Sequence, residues 1–169
     1  VKEFTLPIVK PSAPRSGLLS MSFDKDGNPW AGSLREGAAD KFDKKTEKFS
    51  TWSAPGEYNN VQVRTSMLAP QHSDVDGKVW FDNALRNKVL HRINLATNQV
   101  ETVDVFPDKR GHSVYGIASD PMNNLIFTDY AGSGIGADHF LVPGFPGFLG
   151  QRFRSHGPDG GGWRRCRRG

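Results

Sequence analysis

The stretch "SDVDGKVWFDN", residues 73–83, combines a tight turn with the start of a strand. Asp76-Gly77 is a dipeptide that accepts the positive φ angles of a two-residue hairpin, and an apolar segment containing Trp80 follows at once. Nearly the same phrase, "SFDKDGNPWAG", occupies residues 22–32, fifty residues earlier. A hairpin that recurs at such a spacing predicts a repeated structural unit.

The repeat has a third copy and a regular period. Aligning the two phrases places Trp30 on Trp80, and a third copy at residues 115–136 puts Phe127 in the tryptophan place. The spacings between these aromatics are 50 and 47 residues, which in a β-rich chain indicates propeller blades. Aromatics at one place in every copy are expected to fill the packing between sheets, with stacking against a ligand as the alternative.

Each copy reads as four short strands. The first is small and apolar, as in Leu18–Phe23, and a turn at Gly27 or Gly77 leads into the strand that carries the aromatic. After a second turn, the fourth strand alternates apolar and polar residues, which is typical of a half-buried strand. The sequence therefore predicts an all-β fold, an incomplete β-propeller of four-stranded antiparallel blades with a disordered C-terminal tail.

The repeat also divides the chain into segments. Residues 1–14 read as the outer strand of a preceding blade and a linker, because Pro7 in "EFTLP" lies 48 residues before Pro55, which closes the first copy. The predicted blades span 15–57, 58–109 and, in part, 110–136. Residues 137–169 are rich in Gly, Pro and Arg, and we expect either a disordered tail or the product of a reading-frame slip.

Composition narrows the possible classes of protein. Mean hydropathy is -0.54, and no apolar run is long enough for a membrane span. Of the net charge of +4, residues 151–169 contribute +5 from six Arg and one Asp, so the rest carries -1. The single cysteine, Cys166, excludes a disulfide framework. The arginine tail could contact nucleic-acid phosphates, but the near-neutral remainder of the chain argues against a nucleic-acid partner.

The segment "DGKVWFDNALRNKVLHRIN", residues 76–94, resembles the blade consensus of the streptogramin lyases, the virginiamycin B lyase family. In that family a D-G-N-x-W-F-T-E phrase precedes N-K-I-G-R-I-D. Residues 123–136 are similar, and residues 24–32 are a looser copy. The resemblance covers residues 1–136 and implies a propeller of about six or seven blades. Residues 137–139, Ala-Asp-His, stand where the family has R-I-D.

The resemblance implies a carbon–oxygen lyase. In that family a magnesium ion and a general-base histidine open a lactone ester by elimination. The residues concerned lie in later blades of the family, so no catalytic residue carries over to this chain.

The implied partners are the missing blades of a full-length propeller and a small-molecule or peptide ligand, and an isolated arc is expected to be inactive. A non-catalytic binding or scaffold propeller and a gluconolactonase-like metal hydrolase are the alternatives. A periplasmic or secreted location is favoured.

Four polar residues are the candidates for a ligand-facing site. His72 and His112 are expected near the entries to the inner strands of the second and third copies, and Asp82 and Asp129 at equivalent places after the aromatic strand. Repeated acids could converge on the propeller axis and hold a cation through oxygen ligands. The alternative is that each aspartate bonds a loop amide. His91 is interpreted as an exposed residue in the middle of a strand.

Overall fold

The structure, a computed structural model, describes most of the repeat region. The described residues are 1–12, 17–56, 59, 65, 67–83, 89–103, 114–129, 134–138 and 153–154. For residues 115, 129, 134–138 and 153–154 only the backbone is described.

Twelve strands form three antiparallel sheets, and no helix occurs among the described residues. The strands are β1 Leu18–Phe23, β2 Pro29–Ser33, β3 Ala38–Asp43, β4 Lys48–Ser53, β5 Leu68–Ala69, β6 Lys78–Asp82, β7 Leu90–Asn94, β8 Gln99–Val103, β9 Val114–Ser119, β10 Leu125–Asp129, β11 Gly134–Asp138 and β12 Phe153–Arg154. Each sheet takes four consecutive strands in chain order, and we call the sheets blades 1, 2 and 3. The predicted all-β fold of four-stranded antiparallel blades is confirmed.

The turn after each inner strand places one residue in the left-handed region. That residue is Gly27 (φ 73°), Gly77 (φ 71°) or Asn123 (φ 59°), and glycine and asparagine tolerate this conformation best. Asp24 and Asp120 support their turns by accepting the backbone amides two and four residues on, at 2.9–3.1 Å. Local turn chemistry therefore sets the same hairpin in every blade.

The core lies in layers between neighbouring blades. Trp30 of blade 1 packs against a face of blade 2 that includes Phe81, and Trp80 of blade 2 packs against a face of blade 3 that includes Phe127. Both indoles are buried, with 0% and 2% of their surface exposed. Each blade thus hides its apolar side chains against the next, as sheets packed face to face require.

The third copy differs from the sequence alignment by one residue. Counting from the positive-φ residue of each turn, Trp30, Trp80 and Ile126 all come three residues later, whereas Phe127 comes four later, as Phe81 does. Because neighbouring residues of a strand point to opposite faces, Phe127 faces blade 2 and Ile126 takes the tryptophan place on the outward face. The third copy has no tryptophan to mark the register, and its two adjacent apolar residues fit either alignment.

A cation lies over each buried tryptophan. Lys41 Nζ is 5.5 Å from the ring centroid of Trp30, and Arg92 Cζ is 5.2 Å from that of Trp80. Each cation comes from the third strand of its blade, directly opposite the tryptophan. In blade 3 the corresponding pair is Ile126 and Ala137, so both members change together.

Residues 1–10 contain no strand but lie against blade 1. The ring of Phe4 packs on Phe42 of β3 with 4.5 Å between centroids, and Lys2 pairs with Glu47 at 2.6 Å. Glu47 has a φ of 57° and occupies the same turn position as Asn98, which receives a hydrogen bond from Trp52 of the preceding blade. The segment therefore contacts blade 1 much as β4 contacts blade 2, and its interpretation as the outer strand of a preceding blade stays a prediction.

The third blade continues past the predicted end at residue 136. Strand β11 runs to Asp138, and Phe153–Arg154, inside the predicted tail, pair with it as β12. The other residues of 139–169 lie outside the described residues, so a disordered or frame-shifted tail stays a prediction.

Candidate functional site

Four of the buried polar side chains lie toward one end of the blades. This end, which we call the loop end, holds the β2–β3 connection, the last residues of β6 and the residues that enter β5. Ser33 and Asp40 lie there in blade 1, and Asn83 and His91 lie there in blade 2, each with 3% or less of its surface exposed. Because burying polar groups is costly unless they are hydrogen-bonded, their partners decide what this end of the blades does.

In blade 1 the buried polar group is the carboxylate of Asp40. Ser33 donates a hydrogen bond from its hydroxyl to Oδ2, and Thr51 donates one to Oδ1 at 2.5 Å. Burial raises the pKa of Asp40, the two hydrogen bonds lower it, and the nearby Glu36 carboxylate adds to the increase. The net direction is upward, so the interior of the blade favours the neutral acid.

In blade 2 the corresponding group is the imidazole of His91. Asn83 Nδ2 lies 3.0 Å from Nε2, and Thr102 Oγ1 lies 3.2 Å from Nδ1. Because an amide nitrogen donates, Nε2 accepts, and the ring proton lies on Nδ1 toward Thr102. The Phe81 ring packs on the imidazole with 5.0 Å between centroids.

The two groups form equivalent rows of three side chains. Asp40 precedes Lys41 as His91 precedes Arg92, and both residues face the preceding blade. We call Ser33–Asp40–Thr51 and Asn83–His91–Thr102 the polar rows. A row of this kind keeps a polar residue inside the blade packing without leaving its atoms unbonded.

Burial lowers the pKa of His91 to about 4. The imidazole is 0% exposed and neutral at physiological pH. The prediction that His91 is exposed is wrong, since β7 is covered on both faces by neighbouring blades. A polar residue in a strand pattern is found both in solvent-facing strands and in strands packed on both faces, where the residue has hydrogen-bond partners inside the protein. The sequence pattern alone does not separate these two cases.

Asp82 is fully buried beside Asn83, on the opposite face of β6. Its Oδ1 accepts the backbone amide of Met67 at 2.9 Å, and its own amide donates to the Met67 carbonyl at 3.1 Å. This contact joins the end of β6 to the residue that enters β5. It matches the alternative reading, in which the aspartate bonds a loop amide.

Asp129 is not at the place of Asp82. Counting from the turn residue, Asp129 comes six residues after Asn123, as Asn83 does after Gly77, whereas Asp82 comes five after. The expected equivalence of the two aspartates is therefore wrong. The cause is the same one-residue shift in the alignment of the third copy that placed Phe127 on Trp80. Residues on opposite faces of their sheets do not repeat one ligand position around an axis.

The candidate histidines are also separated. His72 is half-buried and lies in the turn between β5 and β6, after the inner strand and at the end opposite to Asn83. His72 was expected at the entry to that strand, and this expectation is wrong. His112 lies outside the described residues, two positions before β9.

Sequence reasoning missed the polar rows. The available signal was weak: a polar residue stands directly before the cation in both third strands, and a threonine stands opposite it in both fourth strands, Thr51 and Thr102. In the sequence these threonines look like any polar residue of an alternating strand.

No group of three or more His, Cys, Asp or Glu side chains that could hold a metal comes together in the described part of the chain. Asp82, the carboxylate of the expected pair whose side chain is described, is enclosed and bonded to a backbone amide. The described residues therefore do not fit a magnesium centre. In the same described ranges no helix has the length and apolar character of a membrane crossing.

Three consecutive four-stranded antiparallel blades, packed face to face, define an arc of a β-propeller. Solved structures with this arrangement include virginiamycin B lyase from Staphylococcus aureus, with a TM-score of 0.63 and 17% identity over 90% of this chain and 45% of the lyase. A catalytically inactive variant of that enzyme with quinupristin has a TM-score of 0.61 and 20% identity, over 80% of this chain and 41% of the enzyme.

A protein of another kind is also similar. The extracellular domain of BT4673 from B. thetaiotaomicron has a TM-score of 0.58 and 15% identity, over 82% of this chain and 17% of that one. No family model matches the chain, and no curated protein matches its sequence. The chain thus has the fold of the streptogramin lyase propellers and spans less than half of the length of the lyases.

Proposed function

We propose that this chain supplies three blades of a streptogramin-lyase-like propeller, and that the acid–base machinery of the reaction lies outside the described residues. The observation that carries the proposal is the match of 90% of this chain to virginiamycin B lyase at a TM-score of 0.63. The blade phrase around Trp80 and Arg92 supports it, because both residues serve the packing that builds the arc.

The buried histidine of blade 2 favours a scaffold function for these blades. A general base must have a pKa near the working pH and must reach the proton that it removes. The imidazole of His91 has a pKa of about 4 and is enclosed between Asn83, Thr102 and Phe81. It holds the interior of blade 2 together and does not face a substrate.

The proposed reaction opens a cyclic depsipeptide without water. A base removes a proton from the carbon next to the carbon that bears the ester oxygen. The electron pair forms a carbon–carbon double bond, the carbon–oxygen bond breaks, and the ester oxygen leaves as part of a carboxylate. The mass of the substrate does not change, whereas hydrolysis adds the mass of one water.

A non-catalytic binding propeller is the second candidate. Its support is the similarity to the extracellular domain of BT4673 together with the structural use of His91 and Asp82 in the described blades. In that case the loop end would present a recognition surface, and no bond of the ligand would change.

The test is incubation with quinupristin and magnesium, followed by mass spectrometry. The samples are the 169-residue chain, a longer polypeptide that contains it, and the S. aureus lyase as the positive control. We expect a linear product of unchanged mass from the longer polypeptide and none from the chain alone. A product heavier by one water would favour the metal hydrolase, and binding without turnover would favour the binding module. Intact, unbound quinupristin in both samples would refute the lyase proposal.

The matched variants are His91→Gln and His72→Gln in the longer polypeptide. We expect each to open quinupristin at the wild-type rate, once the fraction of folded protein is accounted for. Loss of turnover in folded His91→Gln would show that the buried imidazole takes part in the chemistry.

A further inference from the structure

Two inner turns contain the same Asp-Gly dipeptide in different surroundings. We propose that Asp26-Gly27, in the β1–β2 turn of blade 1, forms a succinimide and then isoaspartate in the folded protein, and that Lys44 promotes the first step. Asp76-Gly77 of blade 2 is the protected copy. This chemistry needs only the turn of blade 1 and is independent of the lyase reaction.

The reaction is an attack of a backbone nitrogen on the side chain that precedes it. The Gly27 nitrogen forms a bond to Cγ of Asp26, and the hydroxyl of the carboxyl group leaves as water together with the amide proton. A second water then opens the five-membered imide. Cleavage at the side-chain carbonyl restores aspartate, whereas cleavage at the main-chain carbonyl leaves the backbone running through Cγ as isoaspartate. The total mass does not change, because one water is lost and another is added.

The two turns have the same backbone shape. Gly27 has a φ of 73° and Gly77 a φ of 71°, and neither nitrogen is hindered by a side chain on its own residue. The two amides donate hydrogen bonds of 2.9 Å to the carbonyls of Asp24 and Ser73, respectively. These hydrogen bonds oppose the attack to the same extent in both turns. A difference in rate must therefore come from the groups around each dipeptide.

The first difference is the freedom of the attacked carboxyl group. Oδ1 of Asp76 accepts Nδ2 of Asn123 at 2.7 Å and the Lys78 amide at 3.0 Å, so this side chain is fixed between blades 2 and 3. Asp26 is exposed, and within the described part of the chain no group donates a hydrogen bond to its carboxyl oxygens. Its side chain can therefore rotate until Cγ is within reach of the Gly27 nitrogen.

The second difference is a cation at the turn of blade 1. Lys44 Nζ donates a hydrogen bond to the backbone carbonyl of Asp26. That carbonyl belongs to the same peptide group as the Gly27 nitrogen, and its oxygen takes up negative charge when the nitrogen loses its proton. An ammonium group at this oxygen therefore favours the anion that attacks Cγ, as donors do at an oxyanion.

Blade 2 has an uncharged residue at the place of Lys44. Asp43 and Asn94 begin their turns in the same way, since each side chain accepts the amides two and three residues on. Lys44 therefore corresponds to Leu95, whose side chain packs against the core between blades 1 and 2. The Asp-Gly pair of blade 2 thus combines a fixed carboxyl group with an uncharged neighbour.

The first measurement follows oxygen exchange in the folded protein at neutral pH. Each passage through the imide introduces one solvent oxygen, so incubation in heavy-oxygen water labels the residue that reacts. Cleavage at arginine gives peptides 16–35 and 65–86, and fragment spectra locate the label and identify isoaspartate. We expect Asp26 to be labelled about tenfold faster than Asp76 in the folded protein, and both at similar rates in urea. Equal rates in the folded protein, or label in urea only, would overturn the proposal.

The second measurement tests the ammonium group. Lys44→Met should slow labelling of Asp26 about fivefold, the size of effect that an exposed charge allows, and Lys44→Arg should retain most of the rate. Lys45→Met, on the next residue of the same turn, is the matched control and should leave the rate unchanged. Slow labelling of Asp76 in each variant checks that blade 2 stays folded. An unchanged rate in Lys44→Met, or an equal decrease in Lys45→Met, would rule out the assigned action of Lys44.

The third measurement releases the protected copy. Asn123→Gly removes the side-chain amide that holds Asp76, and glycine tolerates the φ of 59° at this position. Labelling of Asp76 should rise several-fold, while labelling of Asp26 stays the same. Circular dichroism checks that the variant is folded. If a folded variant shows no rise at Asp76, the fixed carboxyl group is not the cause of its protection and this part of the proposal fails.

Discussion

His91 makes the stability of blade 2 sensitive to acid. Its pKa is about 4 in the folded protein and 6.5 when the side chain is free, so the unfolded state binds the proton more tightly. With respect to His91, the free energy of unfolding is therefore highest above pH 6.5, and it falls as the pH drops toward 4. The two pKa values differ by about 2.5, which corresponds to a total loss of about 3 kcal/mol at 1.36 kcal/mol per pKa unit. About 2 kcal/mol of it is lost between pH 7 and pH 5.

The assay is urea unfolding followed by tryptophan fluorescence, which reports on Trp30 and Trp80 between the blades. The comparison is wild type against His91→Gln, at pH 7 and pH 5. Glutamine does not titrate, so the variant should lose about 2 kcal/mol less than wild type over this interval. His72→Gln, in the half-buried turn, is the matched histidine-to-glutamine control. An unchanged pH dependence in His91→Gln would refute the assignment of His91 as a buried neutral imidazole.

Two further predictions concern the same blades. In the same urea experiment, Asp40→Asn should change the pH dependence of stability in the opposite direction to His91→Gln. Burial raises the pKa of Asp40, so the folded wild type holds the proton more tightly than the unfolded chain and loses stability as the pH rises. The uncharged amide of asparagine removes that loss. Gly77→Ala should destabilise the chain by about 1–2 kcal/mol because φ is +71°, whereas Gly17→Ala, which also meets open space but has no positive φ, should change the unfolding midpoint little. Equal midpoints for the two glycine variants would contradict the turn geometry.

Much of the candidate site could not be predicted from the sequence. The pattern did single out Asp82, and the alternative that it bonds a loop amide agrees with its contact to Met67. It misread His91, because a histidine next to an arginine in a strand looks solvent-facing when the next blade is not considered. It also paired Asp82 with Asp129 across the wrong faces, since a copy without a tryptophan has no residue to mark the register.

The hairpins and the period come from the amino-acid order alone, because they depend on neighbours in the chain. Gly27 and Gly77 accept positive φ, Asp24 bonds the amides that follow it, and the strands alternate between these turns. Only the packing of one blade on another decides which residues are enclosed. It therefore also decides which groups change their pKa. Burial is a property of two sheets in contact, and the sequence of one sheet does not record what its partner covers.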